Sequence, residues 1–275
     1  MRKRDAAGWL LLFLCATAPI LATTGASAQA LDNCVGSKDF IREKQPFAKG
    51  RYLSYLASWN KGELLEGRDY WQCLAFNRGT YPDGQTIAWS WPNRPPPSRG
   101  VYNFLAVNFG NYYDTIVPQP IPPKPVSDIK TLKQKFDLGI SGDLDGFDVI
   151  QDFFLTRDPG KFDHKLFELE IFLHTPSYSH GYARQVSQVG KITASGVQWN
   201  VSVDKHAANG QDILVVPANG ADLLSAEIDT KAILDQLVAA GVLTGTEYFN
   251  GLGLGVEVRQ GSGRLDVHKL STVYE

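Results

Sequence analysis

A two-residue alternation in residues 167–173 most strongly limits the folds open to this chain. The stretch reads FELEIFL: its odd-numbered residues are all apolar, and its even-numbered residues are Glu168, Glu170 and Phe172. Successive side chains of a β-strand point to opposite faces. The stretch therefore predicts a strand with one buried face, and with two carboxylates beside an aromatic ring on the other. That second face is either an ordinary solvated surface or part of a site.

Two further stretches predict strands that carry acidic residues. Residues 148–155 read DVIQDFFL and place Asp148 and Asp152 on one face. Residues 251–258 read GLGLGVEV, in which three glycines and then Glu257 alternate with apolar residues. A glycine face costs stability, because glycine loses much backbone freedom and packs little. It predicts either a floor on which a polymer lies, or a bulge or close sheet contact.

These stretches resemble the family-12 glycoside hydrolases, which are retaining endo-β-1,4-glucanases. The similarity lies in the DFF at 152–154, the FELEIFL, and the GVEV at 255–258 followed by GSGRLDV at 261–267. Their order and spacing agree along nearly the whole chain after its leader. The resemblance implies an all-β fold: a two-sheet β-jelly-roll sandwich with a concave substrate cleft and one short α-helix on the outer face.

The resemblance also implies roles for three acidic residues. It assigns Glu168 as the nucleophile, Glu257 as the acid/base, and Asp152 as the residue that orients the nucleophile. Glycoside hydrolysis needs one carboxylate at the anomeric carbon and one protonated acid at the leaving oxygen. The family pattern cannot give the separation of the two groups in this chain, which differs between retaining and inverting enzymes.

Aromatic side chains are expected to stack on sugar rings, since both surfaces are apolar. The resemblance makes Trp59 the best candidate. Trp91 shares a predicted strand face with Trp89, so one ring is expected in the cleft and the other in the core.

Five residues depart from the family pattern, and two of them, Leu56 and Ala57, stand where it has asparagines before the tryptophan. Glu170 replaces a methionine and Phe172 a tryptophan, while Arg259 stands where an aromatic residue commonly follows the acid/base. The other three are expected to touch substrate, and they leave the preferred glucan open.

The N-terminus predicts a secretory signal peptide. Arg2, Lys3 and Arg4 precede an apolar run over residues 9–22, and an A-x-A cleavage pattern ends at Ala30. A retained membrane anchor is the alternative, although the run is short for a transmembrane helix. We therefore expect a signal peptide over 1–30, one jelly-roll domain over 31–275, and an extracellular or periplasmic location.

Cysteine content and charge limit the partners. Cys15 would leave with the leader, so Cys34 and Cys73 are expected to form a disulfide in an oxidising compartment. The five histidines lack metal-ligand spacing, and we expect no metal or organic cofactor. A net charge of −2 without a basic patch disfavours nucleic acid and anionic membranes. The resemblance implies a β-glucan polysaccharide as the partner, and the expected state is a monomer.

Other short alternating runs complete an all-β pattern. They lie at residues 51–59, 71–76, 86–91, 106–109, 135–140, 191–194, 197–203 and 212–216. The proline-rich residues 118–125 predict an extended surface crossing. Residues 225–238 place apolar side chains at helical spacing and predict one helix that stops near Gly241.

Three functions remain open on the sequence. The first is a secreted retaining endo-β-1,4-glucanase, with xyloglucan or mixed-linkage glucan as possible preferred substrates. The second is a non-catalytic jelly roll that binds β-glucan. The third is a purely structural β-sandwich. The paired acids favour the enzyme, because a lectin needs none.

Overall fold

The computed structural model describes residues 39–41, 46–98, 100–112, 117–207 and 210–275. Within these ranges the chain forms seventeen strands and two α-helices. The strands are β1 (Asp39–Ile41), β2 (Phe47–Lys49), β3 (Tyr52–Ala57), β4 (Trp71–Phe76), β5 (Gln85–Ser90), β6 (Phe104–Gly110), β7 (Lys124–Pro125), β8 (Leu132–Gly142), β9 (Phe147–Thr156), β10 (Lys165–His174), β11 (Ser187–Ala194), β12 (Val197–Asp204), β13 (Gln211–Pro217), β14 (Ser225–Asp229), β15 (Tyr248–Phe249), β16 (Gly251–Val258) and β17 (Ser262–Tyr274). The helices are α1 (Ser177–Gln185) and α2 (Thr230–Ala239).

The strands form two sheets. The smaller has six strands in the order β1-β4-β5-β17-β8-β14. The larger has eleven, with the main order β11-β12-β13-β10-β9-β16-β6-β3-β2 and with β15 pairing both β9 and β7. Neighbouring strands are antiparallel except for β10 and β13, which run parallel. This arrangement confirms the predicted all-β, two-sheet jelly roll.

The core lies between the two sheets. The odd-numbered residues Leu169, Ile171 and Leu173 of β10 are fully buried and belong to the same cluster as Ile87 and Trp89 of the smaller sheet. The alternation at 167–173 therefore places its apolar side against the second sheet, as predicted. Every strand that alternation predicted between residues 51 and 258 overlaps a strand of the structure.

The helices differ from the prediction. Residues Ser225–Asp229 form β14, which pairs with β8, and the helix begins only at Thr230. The Asp229 carboxylate caps it by accepting a hydrogen bond from the backbone N–H of Ala232 at 3.0 Å. A short apolar run fits a strand or a helix equally, and pairing with β8 decides between them. The helix α1 was not predicted, so the described part of the chain has two α-helices rather than one.

Several predictions concern residues outside the described ranges. The signal peptide over 1–30 and Cys34 lie there, so the Cys34–Cys73 disulfide stays a prediction. Cys73 itself lies on β4 and is buried. No helix within the described ranges is long and apolar enough to cross a membrane.

Candidate active site

Four neighbouring strands bring acidic residues to one face of the larger sheet. β9 lies between β10 and β16, and its register sets Asp152 opposite Glu170 and Asp148 opposite Glu257. Residues paired across neighbouring strands point to the same side. On the far side of β10, β13 contributes an acid opposite Glu168. We call this surface the carboxylate face; its acidic residues are Asp148, Asp152, Glu168, Glu170, Asp212 and Glu257.

The acids lie at different levels along the strands. Measured on β9, Glu257 is level with residue 148, Glu170 with residue 152 and Glu168 with residue 154. Glu168 is therefore farther along the sheet from Glu257 than Glu170 is.

At the Glu257 end, helix α1 holds Asp148. The Ser179 hydroxyl donates to Asp148 Oδ2 at 2.8 Å and the Tyr178 hydroxyl donates to the same oxygen at 3.2 Å. The Arg259 guanidinium lies 4.9 Å from the centre of the Tyr178 ring. Arg259 therefore lies at this end of the face, near Glu257.

In the middle of the face, Asp152 is buried and accepts a hydrogen bond from the Tyr112 hydroxyl at Oδ2. Its Oδ1 is buried and has no hydrogen-bond partner among the residues that the structure describes. The Tyr112 ring packs 5.9 Å from the Phe104 ring and 5.7 Å from the Phe154 ring, measured between centroids. An unpaired buried carboxylate oxygen is costly, and such groups often mark functional sites.

At the other end, Glu168 lies opposite Phe154 on β9 and Asp212 on β13. Asp212 in turn pairs with Asp204 of β12, whose carboxylate accepts a hydrogen bond from the Tyr182 hydroxyl at 2.8 Å. Because Tyr178 and Tyr182 reach acids at opposite ends, helix α1 borders the carboxylate face along its length.

Burial raises the pKa values of several acids on this face. It raises the pKa of Asp148 and of Asp152 from 3.8 to about 7. Burial also raises the pKa of Glu170 and Glu257 well above 4.5, and the next largest causes are the charge of Glu168 on Glu170 and that of Glu170 on Glu257. Crowded carboxyl groups cannot all ionise. Some of them keep a proton at neutral pH, as a general acid must.

The glycines of β16 do not form a floor for a ligand. A Cβ on Gly253 would lie 2.8 Å from the Phe104 ring, and one on Gly255 would lie 2.3 Å from the Leu105 carbonyl oxygen. Strand β6 and the Phe104 ring fill the space over these residues. The polymer-floor interpretation is wrong for Gly253 and Gly255, and the close contacts are with the neighbouring strand of the same sheet rather than with the second sheet.

The aromatic candidates separate into one exposed and two buried rings. Trp59 is 60% exposed, which leaves its ring available to a sugar. Trp91 is 4% exposed and sandwiched between Tyr70 and Tyr102, with ring centroids 3.8 and 4.5 Å away. Both faces of Trp91 are therefore covered, which contradicts its predicted role in binding substrate. Trp89 is also fully buried.

Phe172 is 2% exposed and packs with Phe104, Ile150 and Leu214 in an apolar layer between the acids, which contradicts its predicted contact with substrate.

Several residues of the face were not predicted from the sequence. Tyr112 and Tyr178 were not identified because they lie outside the strands that carry the acids. Asp148 shares its face with Asp152 by simple alternation, and that signal was present.

No set of three or more His, Cys, Asp or Glu side chains in the described ranges is arranged to hold a metal ion. The chemistry available here is that of carboxyl groups and tyrosine hydroxyls.

Comparison with known proteins identifies the fold. No protein-family model matches the chain, and no curated protein matches it in sequence. Its structure is similar to a family-12 xyloglucanase from Bacillus licheniformis, with a TM-score of 0.70, 16% identity, and coverage of 86% of this chain and 100% of that one. It is also similar to Trichoderma harzianum endoglucanase 3 of family 12, with a TM-score of 0.67, 18% identity, and coverage of 86% and 97%.

A third similar structure is the catalytic domain of Humicola grisea Cel12A with a soaked thio cellotetraose. Its TM-score is 0.70, with 18% identity and coverage of 86% of this chain and 99% of that one. At these identities the likeness establishes the fold and leaves the chemistry to the residues of the site. The chain thus has the jelly-roll fold that is found in family-12 glycoside hydrolases.

Proposed function

We propose that this protein is a secreted endo-β-1,4-glucanase that retains the anomeric configuration of its substrate. One observation carries the proposal: Glu257, an acid whose pKa burial raises well above 4.5, shares a face with the two glutamates of β10 across a single strand. The jelly-roll fold shared with family-12 enzymes supports it.

The reaction uses two carboxyl groups in turn. Glu257 donates its proton to the glycosidic oxygen while a β10 carboxylate attacks the anomeric carbon, and the bond to the leaving sugar breaks. Glu257, now ionised, then takes a proton from water, which attacks the anomeric carbon and releases the enzyme carboxylate. The family pattern gives the attacking role to Glu168, and Asp152 orients the attacking group.

A glucan that lies along the carboxylate face would reach the exposed ring of Trp59. The exposed Trp59 follows β3, whose last residue, Ala57, pairs with Phe104, itself opposite Glu257. A sugar stacked on Trp59 would therefore lie beyond the Glu257 end of the face. Xyloglucan is a second candidate substrate, favoured by the likeness to a structure named as a xyloglucanase.

The alternative function is a jelly roll that binds β-glucan without cleaving it. Such a protein has no need for buried acids with raised pKa values, which reduce stability at neutral pH. The energetic cost of Asp148, Asp152 and Glu170 at one face therefore favours catalysis.

The test is release of reducing ends from carboxymethylcellulose, barley β-glucan and xyloglucan. The wild-type protein should act on at least one of them, and Glu257→Gln should lose activity by about 10²–10⁴-fold, the usual contribution of a general acid. Glu227→Gln, an exposed glutamate on β14, is the matched control and should keep full activity. Wild-type protein that binds glucan without releasing ends would establish the binding module instead.

Two measurements address export. N-terminal sequencing of protein secreted from an export-competent host should begin near Leu31. Alkylation of that protein with iodoacetamide should modify neither Cys34 nor Cys73 until a reductant is added. A free thiol at either position before reduction would contradict the disulfide.

A further inference from the structure

Arg259 places a positive charge at the Glu257 end of the carboxylate face. The family pattern has an aromatic residue at this position, so the charge is a departure from that pattern. Arginine stays ionised in proteins, and its planar guanidinium binds carboxylates through two parallel hydrogen bonds. Because Arg259 follows Glu257 by two residues, a group bound to it would lie close to the acid/base.

Two contacts fix the position of the guanidinium. It lies 4.9 Å from the centre of the Tyr178 ring, at a distance typical of cation–π contacts. The Tyr178 hydroxyl donates to the buried Asp148 carboxylate at 3.2 Å, which holds the ring in place. Arg259 Nη1 also donates to the Gly100 carbonyl oxygen at 3.4 Å. A side chain whose orientation is already set loses less entropy when it binds a ligand.

Arg259 lacks the partner that such a charge usually has. Three other arginines, Arg68, Arg78 and Arg264, each pair with an aspartate at 2.7–2.8 Å. Among the residues that the structure describes, Arg259 forms no such ion pair, although six acids lie on the neighbouring face. Its two contacts are with an aromatic ring and a neutral carbonyl group, so its charge is available to a carboxylate of a ligand.

Gly100 joins Arg259 to the exposed ring of Trp59. A Cβ on Gly100 would lie 3.9 Å from Trp59 Cη2, so the edge of the indole ring lies close to this residue. The Gly100 carbonyl oxygen is also the acceptor for Arg259. A sugar stacked on Trp59 would therefore bring its substituents toward the guanidinium.

The nearby acids oppose an anionic ligand less than their number suggests. Burial raises the pKa of Asp148 and of Asp152 to about 7, so below that pH both carboxyl groups are mostly uncharged. Burial also raises the pKa of Glu257 well above 4.5. In mildly acidic solution, this end of the face therefore carries less negative charge than its residues would have in water.

We propose that Arg259 binds a carboxylate group carried by the substrate, and that the preferred substrate is an acidic β-glucan. The carboxylate would be a substituent of a sugar near Trp59, and it takes no part in breaking the glycosidic bond. Arg259 is thus a specificity-determining residue. This inference rests on the proposed function and narrows its substrate class.

The test compares carboxymethylcellulose with hydroxyethylcellulose at equal degrees of substitution. Both are soluble ethers of the same glucan, and only the first is charged. At about pH 6 and low salt, Arg259→Gln should lower kcat/KM on carboxymethylcellulose by about three- to tenfold, between the effect of an exposed ion pair and that of a buried one. The value on hydroxyethylcellulose should stay unchanged. Arg259→Lys keeps the charge without the planar donors and should give an intermediate value.

A second measurement uses the wild-type protein alone. Sodium chloride screens a charge pair that is open to water, so it should reduce the ratio of kcat/KM on carboxymethylcellulose to that on hydroxyethylcellulose. The same salt should leave the ratio of Arg259→Gln unchanged. This measurement tests the inference even if the variant fails to fold, because a wild-type ratio that does not change with salt would overturn it.

Arg51→Gln is the matched control. It removes the same charge from an exposed arginine before β3 and should keep the wild-type ratio. A ratio lowered equally in Arg51→Gln would overturn the inference, because net charge would then be the cause. Equal losses on both polymers in Arg259→Gln, or no loss on either, would also overturn it and leave the glucanase intact. Wild-type protein that cleaves no glucan would instead refute the proposed function.

Discussion

The two faces of the larger sheet have opposite effects on stability. Toward the smaller sheet, β10 presents Leu169, Ile171 and Leu173, all fully buried and surrounded by other apolar side chains. On the carboxylate face the same strand presents Glu168 and Glu170 among other acids. The first face gains stability from burial. The second loses stability by crowding acids that resist ionisation, and such conflicts between stability and local chemistry are typical of functional sites.

The largest expected effect lies on the carboxylate face and concerns activity. Glu257→Gln should lower kcat/KM on the best glucan by about 10²–10⁴-fold while leaving the melting temperature unchanged or higher, because a neutral amide replaces a crowded acid. Initial rates and thermal melts on the same samples check this. A Glu257→Gln variant that loses both its activity and its fold would contradict the view that this face serves catalysis rather than stability.

On the core face, a substitution should lower stability and leave activity unchanged. Leu169→Ala should lower the free energy of unfolding by about 2–5 kcal/mol, because it leaves a cavity in the core. Folded Leu169→Ala at low temperature should keep its kcat. Urea denaturation measures the stability, and Leu65→Ala, a residue 52% exposed, is the control. Equal losses in the two variants would contradict the assignment of Leu169 to the core.

The pH dependence of stability tests whether ionisation of buried acids on the carboxylate face destabilises the fold. The pKa of Asp148 rises from 3.8 to about 7 on folding, so its stabilising contribution is complete below pH 3.8 and is lost as the pH rises toward 7. The melting temperature should fall between pH 5 and 8, and Asp148→Asn should fall less. The difference between the two proteins at pH 8 should be a few kcal/mol. Asp137→Asn, exposed on β8, should keep the wild-type slope; identical slopes in all three proteins would remove Asp148 as the cause.

The smallest expected effect on activity is that of Trp59, and Trp91 is its comparison. Trp59→Ala should raise KM by up to about tenfold with little change in stability, since an exposed ring contributes about 0.5–1.5 kcal/mol of stacking. Trp91→Ala should instead lower the free energy of unfolding by about 3–5 kcal/mol, because Trp91 is packed between two rings. Steady-state kinetics and urea denaturation of both variants separate the roles. Unchanged KM in Trp59→Ala would exclude it from the substrate-binding surface.

The sequence alone determined most of the strands and the chemical character of their faces. The alternation at 167–173 and at 251–258 depends only on neighbouring residues, because successive side chains of a strand must point to opposite sides. The acidic character of one face and the presence of Glu257 followed from the same local rule.

Tertiary structure decided how those strands face one another. Whether Glu168 or Glu170 lies opposite Asp152 depends on the register of β9 and β10, and a shift of two residues keeps every side chain on its face. The glycines of β16 and the burial of Trp91 depend on β6, Tyr70 and Tyr102, which approach from elsewhere in the chain. Such contacts join residues that are distant in sequence, so local periodicity carries no record of them.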